Sequence, residues 1–275
     1  MRYCGEVLSV MTMVWLLCAN PAEALTMEPP MPADCRAAEK AQGLQSKVDL
    51  YTNCLDRRLS SERKMEDWQR NNVYLNRADA LFEMGRYAEA IADYDRYLAN
   101  SSYNVWALGQ RGLAHVAMGQ RQKAVADFDA ALKINPDALE VRYNRGMALA
   151  GQGLYQSALE DLRRSASEAP NVPKYANTLA WLLSTCPDKG FIDGKQAVKF
   201  ARKAVSQDRN AVYLDTLAAA YARTGNFQLA ITAQKEALAL LRDSHASPGT
   251  IEQLSSRLDL YSKGKPYTED RPEQP

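Results

Sequence analysis

The chain has 275 residues, with 34 Lys and Arg against 33 Asp and Glu. That balance gives no electrostatic reason to expect nucleic acid or an anionic membrane surface as a partner. Ala and Leu are plentiful, and long stretches lack the Val-Ile-Thr alternation of strands, so the composition points to an all-α chain.

At the start, Arg2 leads into the apolar run VLSVMTMVWLLCA and then NPAEA. A short positive start, an apolar core and a small-x-small end at Ala22 and Ala24 read as a secretory signal over 1–24, cleaved after Ala24. The run is too short to span a bilayer comfortably, so no stable membrane insertion is expected after cleavage. Cys18 follows Leu16 and Leu17 rather than a small residue, which argues against lipidation. The expected location is therefore exported rather than anchored, in the periplasm first, with full secretion left open by the same signal. Residues 25–32 read as a linker. Cleavage leaves Cys35, Cys54 and Cys186. An oxidising compartment permits a disulfide, and three is an odd number. Cys35 and Cys54 are near in sequence and far from Cys186, so the expected bridge is Cys35–Cys54, with Cys186 a buried free thiol. Two ordinary buried cysteines are the alternative. The stretch 33–70, with Asp34–Ala41 and LQSKVDLYTNCLDR, reads as a degenerate helix pair that caps the N-terminal end of the helical body.

From Arg77 the chain reads RADALFEMGRYAEAIADYD, then RGLAHVAMGQRQKAVADFD from Arg111, and RGMALAGQGLYQSALEDLR from Arg145. Gly85, Gly119 and Gly153 are spaced by 34, as are Ala90, Ala124 and Ala158, and Asp93, Asp127 and Asp161. A fixed period of this size signals stacked helical units. Each unit reads as two helices. Tyr74, Ala78 and Leu81 mark the packing face of the first, which Gly85 ends because a left-handed cap favours Gly. Ala90, Ile91, Tyr94 and Leu98 mark the second. Pro136 and Pro170 stop second helices. Ala78, Gly112 and Gly146 sit where the helices of a pair cross, and a large side chain there would push them apart.

On these positions the chain resembles the tetratricopeptide-repeat family over 71–104, 105–138 and 139–172. Tyr97 and Ser165 depart from the usual small residue. The resemblance extends less regularly to 173–210, where net four residues enter in the loop CPDKGFIDG, and again cleanly to 211–244. It implies a right-handed superhelical solenoid of antiparallel helix pairs. Exported members with a Cys in each helix ahead of the repeats are similar, which favours the Cys35–Cys54 bridge. Residues 245–264 read as a C-terminal capping helix, with Thr250 and Gln253 in a capping-box pattern and Leu254, Leu258 and Tyr261 as its stripe. Residues 265–275 read as a mobile tail.

No motif for catalysis appears: neither a Gly-rich phosphate loop, nor GxSxG, nor paired Cys or His ligands. The reading is of a non-enzyme without cofactor or metal. The DxD of IADYD and VADFD recurs at the repeat step, so a structural role is favoured over a metal site, each Asp meeting the Arg of its own repeat: Arg77 with Asp93, Arg111 with Asp127, Arg145 with Asp161. As exposed pairs these would contribute only ~0–1 kcal/mol each. His115, among Leu113, Val116 and Met118, reads as a packed residue. By the family resemblance, the first helix of each repeat lines a concave groove. Its sixth positions are Asn76, Gln110, Asn144, Thr178 and Thr216, an uninterrupted polar ladder able to hydrogen-bond an extended backbone. Asn72, Asp79, Trp106, Tyr143, Met147, Asn177, Trp181 and Asp215 surround it. The clamp that grips acidic chaperone tails is absent, since Leu75 and Asp79 hold its positions. The function implied is a scaffold or adaptor that binds a protein or peptide partner in the groove. The alternatives are a self-associating structural protein, hence a homo-oligomer, and an accessory regulatory subunit of a periplasmic enzyme.

Overall fold

The computed structural model describes residues 31–56, 65–243 and 247–272. The signal reading over 1–24 and most of the linker lie outside the described residues. Among the described residues there are thirteen α-helices and no strand. The chain divides into two compact units, before and after the step from Val73 to Tyr74.

The N-terminal unit holds α1 (Ala33–Lys40), α2 (Leu44–Asp56) and the opening turns of α3 (Asp67–Glu83). Cys35 and Ala38 from α1 meet Tyr51 and Cys54 from α2, with Val73 beside them. Cys35 and Cys54 are disulfide-bonded, with Cα atoms 5.5 Å apart. Cys186 is free and buried. The first helix of the first repeat starts at Asp67, four residues ahead of the expected boundary at 71.

The C-terminal unit continues with α4 (Tyr87–Asn100), α5 (Val105–Ala117), α6 (Arg121–Ile134), α7 (Leu139–Ala150) and α8 (Tyr155–Glu168). After these come α9 (Pro173–Thr185), α10 (Gly194–Gln207), α11 (Ala211–Arg223), α12 (Phe227–Asp243) and α13 (Pro248–Ser262). From α4 onward, helices neighbouring in sequence pack together, and α9 also packs on α11. This is an all-α tetratricopeptide-type solenoid of helix pairs.

The repeated letters explain the repeated geometry. Gly119 has φ 73°. Its N–H donates to Val116 O at 2.9 Å while that of Gln120 donates to His115 O at 2.8 Å. These two bonds satisfy carbonyls that the end of α5 would otherwise leave bare. The same pair of bonds closes the helices before Gly85, Gly153, Gly225 and Gly264. At the crossing of α5 and α6, a Cβ on Gly112 would lie 2.6 Å from Phe128 Cε1, and Phe128 is fully buried. The substitution Gly112→Leu therefore forces the pair apart, and chemical denaturation should register a loss of about 1–3 kcal/mol. An unchanged midpoint would mean that the ring simply swings aside.

The three expected Arg–Asp pairs all form, and each is bidentate. Arg77 binds Asp93 at 2.6 and 2.9 Å, Arg111 binds Asp127 at 2.9 and 2.6 Å, and Arg145 binds Asp161 at 2.7 and 2.8 Å. They differ from the expectation of exposed pairs. Asp93, Asp127 and Asp161 are only 1%, 6% and 4% exposed. The second Asp of each DxD has its own use. Asp95 accepts from Arg111 at 2.6 Å, and Asp129 accepts from Arg145 at 2.7 Å. Each of these Arg residues thus fastens its own helix pair and also the preceding repeat. His115 is buried, with Nδ1 2.9 Å from Gln120 Oε1.

The departures from the repeat pattern are also accommodated. Tyr97 is buried, and its hydroxyl oxygen accepts from Asn104 Nδ2 at 2.7 Å. Asn104 in turn caps α5 by accepting from Ala107 N at 2.9 Å. The inserted loop contains a short 3-10 turn over Lys189–Phe191, and Asp193 caps α10 through Gln196 N. The Phe191 ring lies 5.7 Å from that of Tyr155. The cap of α13 is Ser247, not the expected Thr250, because Pro248 at the first helical position already fixes the helical φ one turn earlier.

Candidate peptide-binding groove

Met147 projects from α7, Asn177, Thr178 and Trp181 from α9, and Asp215 and Thr216 from α11. These six of the thirteen expected groove residues line one cleft of about 630 Å³. The far wall comes from α13 and the residues after it, including Arg257, Tyr267 and Glu269. The one-helix-per-repeat register thus brings together side chains from three repeats.

The polar ladder is not uniform. Asn76, Gln110 and Asn144 are half-buried, and their amides meet no hydrogen-bond partner among the described residues. Thr178 Oγ1 lies 3.0 Å from the Tyr143 hydroxyl. At the last rung the expectation fails. Thr216 is 2% exposed, and its hydroxyl donates to Val212 O of its own helix at 3.2 Å. Asp215 is buried, taking Arg257 through two bonds of 2.9 and 2.8 Å and Gln234 Nε2 at 2.7 Å. The reason is positional. The next element after the fifth repeat is the capping helix, and its Arg257 closes the end of the ladder. Burial pushes the Asp215 carboxyl up, and Arg257 pulls it back.

The other expected residues form smaller groupings. Asp79 accepts from the Tyr94 hydroxyl at 2.6 Å and from Trp106 Nε1 at 3.4 Å. Burial pushes its carboxyl up against the pull of these two bonds. Trp106 itself is exposed. The Tyr143 ring lies 4.9 Å from that of Tyr175, tilted by 42°, and the Lys174 ammonium lies 5.4 Å from both rings. Asn72 is exposed and belongs to the N-terminal unit.

Sequence reasoning missed Arg223, Arg257 and the last segment of the chain. Residues 265–272, expected as a mobile tail, run without helix along the cleft. Trp181 Nε1 donates to Glu269 Oε1 at 2.6 Å, and Glu269 N donates to Thr185 O at 2.8 Å. Arg223 donates to Tyr267 O and to Thr268 Oγ1. The Tyr267 ring lies 5.9 Å from that of Trp181, with the Arg257 guanidinium 5.3 Å from one and 5.4 Å from the other. Pro272 reaches the turn at Gly153. The tail itself carries no repeat, so periodicity gave no signal for these contacts.

A tetratricopeptide repeat family model matches residues 68–105 and 110–173. No curated protein matches. Among solved structures, the chain resembles MamA (residues 41 to the end) from Desulfovibrio magneticus RS-1. The two are 23% identical with TM-score 0.57, over 66% of this chain and 98% of that one. A tetratricopeptide repeat protein from Parabacteroides merdae ATCC 43184 is 20% identical with TM-score 0.55, over 82% of this chain and 80% of that one. YrrB, described as a tetratricopeptide repeat protein with an unusual peptide-binding site, is 19% identical with TM-score 0.54, over 85% and 99%. At these identities the likeness is one of fold.

Proposed function

We propose that this tetratricopeptide-repeat chain is an exported, non-enzymatic adaptor that holds a segment of a partner protein in the groove of its repeats. The observation that carries the reading is the convergence of Met147, Asn177, Thr178 and Trp181, from two repeats, on one cleft. Apolar and aromatic walls with a few polar groups suit the anchoring of a peptide side chain beside its backbone. The peptide-binding site ascribed to the structurally similar YrrB agrees with it. Export is supported by the signal-like sequence over 1–24 and by the Cys35–Cys54 bridge, which suits an oxidising compartment.

The test is site-specific photo-crosslinking in intact cells. A photo-reactive residue at position 147, where Met147 is 47% exposed, should trap a partner. The same residue at Glu160, exposed on α8, should not. Met147→Glu with the crosslinker moved to Val212, 63% exposed on the cleft wall, should abolish the adduct. Equal trapping at 147 and 160 would remove the groove from the reading.

A further inference from the structure

The segment after Gly264 sits in the groove as a ligand would. Its holding bonds are of two kinds. Backbone bonds, Glu269 N to Thr185 O and Arg223 to Tyr267 O, require no particular side chain. Side-chain anchors occur at alternate positions. Tyr267 and Glu269 are half-buried, whereas Pro266, Thr268 and Asp270 are exposed. That alternation is the signature of an extended strand read on one face.

The chemistry of the receiving surface is specific. The Tyr267 ring meets Trp181 and the Arg257 guanidinium. Two residues on, the Glu269 carboxylate accepts from Trp181 Nε1. Arg223 gives its bonds to Ser184 O, Tyr267 O and Thr268 Oγ1, all uncharged. Burial pulls its guanidinium below the ordinary value. The subsite is therefore cationic and aromatic, and the segment YTED that crosses it is aromatic and acidic. Space remains as well. Tyr267 and Glu269 share the walls of the 630 Å³ cleft, and Glu269, Asp270 and Pro272 those of a second cleft of 360 Å³.

We infer that Trp181, Thr185, Arg223 and Arg257 form a docking subsite for an extended partner segment with an aromatic residue two positions before a carboxylate, and that residues 265–272 occupy it as an internal competitor. This rests on the proposed groove-binding function and names the chemistry of its ligand. Few side chains of the segment are buried, so its release costs little, as for chain ends in general. The competitor acts through proximity. A tethered segment whose own Kd is about 100 µM, held at an effective concentration of about 1 mM, weakens an outside ligand by roughly tenfold.

The experiment uses the full chain and a fluorescein-labelled synthetic peptide, GKPYTEDRP, the sequence of residues 264–272. Fluorescence anisotropy is recorded for the unaltered chain and for the tail-released variant Tyr267→Ala with Glu269→Ala. The released variant should bind about tenfold more tightly. Alanine in place of the peptide's Tyr or Glu should weaken binding to that variant by a comparable factor, and this comparison needs no further change to the protein. Adding Trp181→Leu to the released variant should abolish binding, with circular dichroism as the check on folding. Failure of the peptide to bind the folded, released variant would overturn the subsite, as would indifference to its Tyr and Glu. A doubling of mass in sedimentation, accompanying any loss of peptide binding, would make a second copy's tail the occupant and overturn the assignment to a partner. Trapping at position 147 without peptide binding would leave groove binding standing while this inference fell. Peptide binding with no preference for position 147 over 160 would leave the subsite to the chain's own tail and overturn its assignment to a partner.

Discussion

Arg111→Met should destabilise the C-terminal unit by about 3 kcal/mol, the lower end of what breaking a buried ion pair costs, because the Arg111 side chain keeps a fifth of its surface in water. The loss arises from what is left behind. Asp127 is 6% exposed and, among the described residues, would keep only His115 Nε2, at 3.9 Å. A buried carboxylate without its guanidinium retains its desolvation cost and loses its compensation. Methionine fills a similar volume, so lost packing is a minor part. Asp127→Asn in the same background should recover much of the loss, because the uncompensated charge is gone. A double-mutant cycle by urea unfolding isolates the pair, and near-additive effects would show that Arg111 and Asp127 do not act together. Removing only the outer partner, Asp95→Ala, should cost ~0–1 kcal/mol, because Asp95 is more than half exposed.

The ladder of ion pairs illustrates which layers of the fold are legible. The pairing of Arg77, Arg111 and Arg145 with Asp93, Asp127 and Asp161 is visible because three copies keep both residues at one spacing. Its burial is harder to see, although the sequence holds the reason. Asp93 lies three residues after Ala90, on the flank of the stripe that Ala90, Tyr94 and Leu98 press into the core. Composition alone makes a charged letter look like a solvated one. The crossing glycines, the helix-ending glycines and the alanines are legible because each performs one local task in every copy.

The groove is legible only where the repeat register governs it. Met147, Thr178 and Trp181 are placed by their position within the repeat. The closing of the last rung is not, because Arg257 belongs to a helix outside the period. The terminal segment is less legible still. It is polar, contains two prolines and has no periodicity. It is held by Trp181 and Thr185 of α9, Arg223 of α11 and Arg257 of α13, and Trp181 precedes its partner by 88 positions. A local reading therefore assigns mobility to a segment whose order comes wholly from distant partners.

Opening the Cys35–Cys54 bridge should cost the N-terminal unit about 3 kcal/mol, the chain-entropy value for a loop of this length. The closed span is 19 residues. The effect is large against what the unit has to spare. Its core is Cys35, Ala38, Tyr51, Cys54 and Val73, with Met31, Leu50, Leu55 and Met65 partly covered around them. A core so small rarely supplies more than ~3–5 kcal/mol, so removing the bridge approaches the whole of it. The measurement is amide hydrogen exchange on the Cys35→Ala, Cys54→Ala chain beside the oxidised one. Protection in α1 and α2 should collapse, whereas α7 to α10, whose core is built from Leu149, Leu162, Leu179 and Leu183, should keep theirs. Alanine at both positions removes the thiols without adding a polar group, so collapse reports the lost cross-link rather than a new buried hydroxyl. Retained protection in α1 and α2 would show that the small apolar core suffices. The bridge would then no longer tie the fold of this unit to an oxidising compartment, and the case for export would rest on the sequence of residues 1–24 alone.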